Sequence, residues 1–128
     1  MNEVDSGMGC AFCTLDRTVL AQSDLSYSIL DRFPVSDGHA LVIPKRHVAT
    51  IWEMTNHEYA DAFDLVRHVK DLLQEKFDPQ GFNIGVNCGE TAGQTVFHAH
   101  IHIIPRYTGD VPTPRGGVRN IIPGKGNY

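Results

Sequence analysis

"HAHIHII", residues 98 to 104, places three of the chain's seven histidines at alternate positions of one short segment. Alternation with a period of two is strand geometry: successive side chains point to opposite faces, so His98, His100 and His102 share one face while Phe97, Ala99, Ile101 and Ile103 share the other. The apolar face is the one to bury. The pattern predicts a strand over 98–105 with a row of imidazoles, roughly 6 to 7 Å apart along the strand, on the face turned away from the core.

Working outward, β-like runs occur at "TVLAQ" (18–22), "YSIL" (27–30), "HALVIP" (39–44) and "FNIGVN" (82–87). Pro34 with "SDG" predicts a hairpin-like turn between the second and third runs, and "CGETAGQ" a longer glycine-rich loop between the fourth and fifth, so both pairs are antiparallel. Between them lies one strong helical pattern over 55–77. Tyr59, Ala62, Phe63, Val66, Val69, Leu73 and Phe77 form its apolar stripe, Thr55 and Glu58 read as a capping box, and "DPQG" stops it. The expected class is α+β: a five-stranded antiparallel sheet with one long helix and short helical segments.

At 128 residues, 41% hydrophobic and 20% charged, the chain can build one core without disulfides. Residues 1–108 read as a single domain that includes the N-terminal CxxC, and 109–128 as a Pro/Gly-rich tail that is either a loose terminus or docks on a partner subunit. A formal net charge of −4 provides no basic field to gather a phosphate backbone, so polymeric nucleic acid is not an expected ligand. "MNEVDSGMGCAFC" lacks a cationic segment followed by an apolar run, and no long apolar stretch occurs, which predicts a soluble, cytoplasmic protein with no membrane partner. Three cysteines, two of them in CxxC, suit metal binding or redox work in a reducing compartment.

Three readings compete for the histidine row. It is a polar strand face that happens to hold histidine, or a catalytic metal site with Glu90 as the acid on the adjacent loop, or a nucleophilic imidazole with neighbours that orient it and handle protons. The loop "NCGETAGQT" (87–95) favours the third, because glycines and short polar side chains can turn N–H groups toward a phosphate. His100, flanked by His98, His102 and this loop, has what attack on phosphorus needs.

"QTVFHAHIHIIPR" resembles the signature of the histidine triad family, and the resemblance extends to "LDRFPVSDGHALVIPKRHV" and "GFNIGVNCGETAGQ". It implies a homodimer whose sheets join across a two-fold axis. It also implies a two-step reaction at the α-phosphate of a nucleotide through a covalent nucleotidyl-histidine. By motif position His100 is the nucleophile, His102 serves the leaving-group side, His98 helps orient the nucleophile, and His39 is a further histidine beside the triad. Asp31 falls at the ribose-binding position, although an Asp before Pro34 is also an ordinary turn initiator. Ile29 falls in the base pocket, and Asn87, Gln94 and Thr95 match positions that touch phosphates or leaving group.

The resemblance implies hydrolysis rather than transfer, since the nucleotidyltransferase branch has glutamine where this chain has His102. The leading substrate class is a purine dinucleoside polyphosphate such as diadenosine tetraphosphate. A nucleoside phosphoramidase of the same family, and a nucleotide-binding interaction protein with little turnover, stay open. Cys10, Cys13, His47 and His98 match the ligands of a structural zinc in related proteins, and no organic cofactor is expected. Cys88 reads as an inert small residue, and His57 and His68 as surface residues. Arg115 and Arg119 of the tail are candidates for contacting a partner's polyphosphate.

Overall fold

The computed structural model describes residues 9–13 and 18–128. Residues 1–8, the start of the segment in which no export signal is expected, lie outside it. Five strands, β1 (Ala21–Gln22), β2 (Ser26–Leu30), β3 (Ala40–Pro44), β4 (Gly81–Gly85) and β5 (Ile101–Arg106), form one antiparallel sheet in the order β1-β2-β3-β5-β4. A single long helix, α1 (Asn56–Phe77), connects β3 to β4. The architecture is the α+β arrangement read from the sequence.

The helix begins where the local chemistry says it should. Thr55 accepts a hydrogen bond from the Glu58 N–H at 3.1 Å, and the Glu58 carboxylate accepts from the Thr55 N–H at 2.8 Å, so two otherwise orphaned donors are satisfied. It ends at Asp78, whose left-handed φ of 52° breaks the helical path. Its buried face is Glu58, Ala62, Leu65, Val66, Val69 and Leu73. Phe63 departs from expectation: it stands 46% exposed, one residue and about 100° round from Ala62, and Leu65 takes its place in the stripe.

Alternation along the strands divides the core in two. Ala40, Val42, Ala99, Ile101 and Ile103 pack against the helix. On the opposite face Tyr27, Ile29, Leu41 and Ile43 are covered by Cys10 and Phe12 of the N-terminal segment. The register Ile29↔Leu41 and Leu41↔His102 puts this second cluster on the same face as His102. The turn before β3 needs Gly38, whose φ is +88° and where a Cβ would lie 2.7 Å from the Phe77 ring.

Strand boundaries differ from the sequence reading most at the first and last strands, and β4 ends at Gly85 rather than at residue 87. The first strand is only two residues long, and β5 starts at Ile101 rather than at residue 98. The chain bends over 96–98, and the Ala99 N–H bonds to the Val48 carbonyl outside the ladder. The tail is not a loose terminus: Gly117–Ile121 form a 3-10 turn that touches β4, and the Arg115 and Arg119 guanidiniums stack on the Tyr128 ring at 4.9 and 4.7 Å. Among the described residues no helix is long and apolar enough to cross a membrane.

One ion pair, between exposed Arg46 and buried Glu58, fixes the β3–α1 connection. Arg46 donates to both carboxylate oxygens of Glu58 at 2.8 and 2.9 Å, and to the Glu53 carbonyl at 2.9 Å. These donors hold the Glu58 carboxyl down at about 2, against an ordinary 4.5. A depressed folded-state pKa contributes stability that is present above 4.5 and lost as pH falls toward 2. Glu58→Ala is expected to cost about 1 to 3 kcal/mol at pH 7, because it removes both the pair and the reciprocal bond of the capping box. Acid titration of the melting temperature checks it: the wild type should lose stability over that window and the variant should lose less.

Candidate active site

β5 and the bend before it deliver the three histidines to three different environments. His98 is wholly buried, turned out of the row that a continuous strand would have made. His100 and His102 remain side by side with ring centroids 5.0 Å apart. The structure thus breaks the expected row at its first member. The bend also frees the His98 carbonyl to act on the histidine two residues ahead.

Backbone partners fix the tautomers. A carbonyl can only accept, so the 2.8 Å contact between His100 Nδ1 and the His98 oxygen places a proton on Nδ1 and leaves the His100 Nε2 lone pair unprotonated. The Val35 N–H can only donate, and it reaches His39 Nδ1 at 3.1 Å. The proton of His39 is therefore on Nε2, which donates to His102 Nδ1 at 3.0 Å and lies 3.4 Å from Asp31 Oδ2. His102 in turn carries its proton on Nε2. One ring thus offers a lone pair and its neighbour an N–H donor.

Burial disfavours the charged form of both rings. Desolvation pushes His100 below the ordinary value of 6.5. Desolvation, with the neighbouring His100 and His39, brings His102 down to about 4. Asp31, His39 and His102 also form a group whose ligand atoms lie within 4.8 Å. The tautomer derived above puts a proton between His39 and His102, so this trio is a hydrogen-bonded relay and not a set of free lone pairs.

The other candidate residues fall into two groups. Asp31 lies at the end of β2, with its Oδ1 accepting the Phe33 N–H at 2.9 Å. Asn87 and Thr95 are exposed on the loop between β4 and β5. Gln94 is buried beneath that loop: its Oε1 accepts from the Gly89 N–H at 2.8 Å, and its Nε2 donates to the Ala49 and Val96 carbonyls. Its amide holds the loop shape. Ile29 has no exposed surface and lies in the apolar cluster under Phe12.

Phe12 is the residue sequence reasoning missed. It packs edge-on against His100 at 5.1 Å and His98 at 5.9 Å between centroids, and its carbonyl accepts from the Tyr27 hydroxyl. It sits inside the CxxC, so the flanking cysteines drew the attention that an apolar residue between them did not.

Cys10, Cys13, His47 and His98 converge from three segments, with all their ligand atoms within 4.8 Å of one another. His98 Nδ1 lies 3.4 Å from each sulfur and 3.1 Å from His47 Nδ1, and Cys13 Sγ is 3.2 Å from His47 Nδ1. For a tetrahedral ion with bonds of about 2.0 to 2.3 Å, ligand atoms stand about 3.3 to 3.8 Å apart. His98 Nε2 donates to the Pro44 carbonyl at 2.8 Å, which points the unprotonated Nδ1 into the cluster. These four residues could hold a metal. The site ties residues 10–13 and the segment after β3 to the stretch that carries His100.

The model of the HIT domain matches residues 14–109 of the chain. The chain belongs to the HIT family. It is 39% identical over 104 residues to an adenosine 5'-monophosphoramidase of Schizosaccharomyces pombe, covering 77% of this chain and 75% of that one. It is 40% identical over 92 residues to an asymmetrical bis(5'-nucleosyl)-tetraphosphatase of the same organism, covering 72% and 50%. The crystal structure of a zinc-bound histidine triad family protein from Mycobacterium smegmatis superposes with a TM-score of 0.75 at 32% identity, covering 84% of this chain and 81% of that one. The protein is a HIT enzyme.

Proposed function

We propose that the protein hydrolyses a purine nucleotide derivative at its α-phosphate, with dinucleoside polyphosphates as the leading substrate class, through a nucleotidyl-histidine on His100. The observation that carries this is the fixed pair of tautomers: an unprotonated Nε2 on His100 beside an Nε2–H on His102. The His100 lone pair forms a bond to phosphorus as the bond to the leaving-group oxygen breaks, and the His102 Nε2–H donates a hydrogen bond to the departing oxygen, which leaves with the bonding electron pair as an anion. Water then attacks the phosphorus and releases a proton to solvent as the P–N bond breaks, which returns the His100 Nε2 lone pair to its starting state. Asp31 accepts from ribose hydroxyls while steadying His39. Asn87 and Thr95 meet the phosphates, and Gln94 holds the loop that presents them. Ile29 supports the apolar floor under the base.

The convergent Cys2His2 set is best suited to zinc as a closed structural site. Bound there, the metal supplies rigidity, and no reaction step passes through it. β4 is the long free edge of the sheet, and a homodimer joined along it would pair its open N–H and C=O groups. We place the HIT domain at 1–108 with 109–128 as its appended tail.

A phosphoramidase is the second reading, favoured by the 39% identity to the phosphoramidase relative. The two activities use the same residues and differ in the leaving group. The deciving measurement is product analysis with diadenosine tetraphosphate and adenosine phosphoramidate in parallel. Cleavage of the first to AMP and ATP is expected. Cleavage of the phosphoramidate alone would establish the second reading, and turnover of neither would overturn both.

A further inference from the structure

We propose that the cleft between the C-terminal tail and the far end of β5 seats the leaving-group nucleoside, the second nucleoside of a dinucleoside polyphosphate. The inference rests on the hydrolase reading above and extends it to a second binding site. The cleft has a volume of about 430 Å³, and its walls include Val35, Ile104, Val111 and Thr113 with the amides Asn83 and Asn120.

Its position follows from strand geometry. Along β5 the buried residues are Ile101, Ile103 and Pro105, so His102, Ile104 and Arg106 share the other face. Across the ladder Gly85 stands opposite His102, Asn83 opposite Ile104 and Gly81 opposite Arg106, all on that same face. The face therefore runs from Phe12 and His100, past His102, into the cleft. Ile104 is about 7 Å beyond His102. A group displaced by attack from His100 departs on the side of the phosphorus opposite that ring, and His102 lies between His100 and the cleft along the strand. The two Gly positions bordering this path, Gly81 and Gly85, leave open space where side chains would stand.

The cleft's chemistry selects an uncharged group. Arg106 is the cation in its wall, but its Nε and Nη2 donate to the two carboxylate oxygens of Asp110 at 2.8 and 2.9 Å, and its Nη1 to Asn83 Oδ1 at 2.6 Å. The ion pair cancels its charge toward a phosphate chain. It also leaves the Asn83 amide with its Nδ2 donors for a neutral acceptor. Aliphatic side chains from Val35, Ile104 and Val111 with amide groups at the edge match a heterocyclic base and its sugar.

The tail that forms the outer wall is a built element. Gly116 has φ +94°, and a Cβ there would lie 2.8 Å from the Gly126 carbonyl oxygen; Gly117 has φ +53°, and its Cβ would lie 3.4 Å from Asn83 Nδ2. Two glycines thus let the backbone close on itself and on β4. Arg115 and Arg119, stacked on Tyr128, hold the chain end against the same turn. A wall of fixed shape is what a specific subsite requires.

Kinetics of the wild type, Ile104→Trp and Val111→Trp on diadenosine tetraphosphate and adenosine phosphoramidate test the proposal. Val111 is 40% exposed, so a tryptophan there fills the cleft from its rim without entering the core. In both variants kcat/KM for the dinucleotide is expected to fall about tenfold or more relative to the phosphoramidate, through KM. Equal effects on the two substrates, or no effect, would overturn the subsite while leaving the hydrolase intact. A wild type that cleaves the phosphoramidate only would also overturn it, and one that cleaves neither would remove the hydrolase reading beneath it.

Discussion

His100→Ala should abolish turnover, lowering kcat/KM by roughly 10⁴-fold or more, about 5 kcal/mol of transition-state stabilisation. The size follows from what is removed. In the proposed mechanism the bond to phosphorus is made by His100 Nε2, and no neighbouring ring is placed to replace it: His102 Nδ1 is occupied by His39, and His98 is buried with its Nε2 donating to Pro44. Nucleotide affinity should change little, because Phe12, Asp31 and the loop over 87–95 stay in place. The protein should also stay folded, since His100 is half-buried just ahead of β5 and its ring makes one hydrogen bond, to a backbone carbonyl, beside edge-on contacts with Phe12 and His102. Steady-state kinetics with a melting curve checks this, and rapid quenching of the wild type followed by mass analysis should find one nucleotidyl group on the peptide containing His100. A variant that kept a tenth of the activity would rule out covalent catalysis at this residue. Removing His98 instead would keep the carbonyl that orients His100, so its effect should come through the group of Cys10, Cys13 and His47 and through the contacts with Phe12 and Pro44.

Local periodicity revealed what local periodicity controls. The stripe on α1, its capping box, the antiparallel hairpins and the shared face of His100 and His102 are set by residues within a few positions of one another, and these features were legible in the sequence. What was not legible depends on distant partners. The bend that buries His98 is fixed by the Val48 and Pro44 carbonyls, roughly fifty residues away, and alternation alone continues the strand through it. Leu65 replaces Phe63 in the stripe because the sheet beneath the helix sets which neighbour of Ala62 is covered. The tail gives no periodic signal, since its shape comes from positive-φ glycines and stacking on Tyr128. The relay through His39 to His102 joins residues 63 positions apart, and the direction of its protons is fixed by the Val35 N–H, which no sequence pattern displays.

Removal of the metal should loosen the whole nucleophile segment without touching the reacting atoms. Purified protein is expected to carry about one zinc per chain, and strong chelation or the pair Cys10→Ser and Cys13→Ser should lower stability by at least about 3 kcal/mol, a fall in Tm on the order of 10 °C. The reason is connectivity: Cys10 and Cys13 hold Phe12 against Ile29 and His100, and His98 sits two residues before the nucleophile. Without the ion, four polar ligand atoms remain crowded within 4.8 Å of one another. Activity should fall with the loss of folded protein and with poorer alignment of His100, well short of the His100→Ala loss, and should return when zinc is restored. This ordering separates a structural ion from a reaction centre. A metal that activated water at phosphorus would make chelation as damaging as loss of the nucleophile while leaving the melting curve nearly unmoved. The tautomers argue against that outcome: the only other group of metal-type ligands among the described residues is Asp31, His39 and His102, and there a shared proton already bridges the two rings.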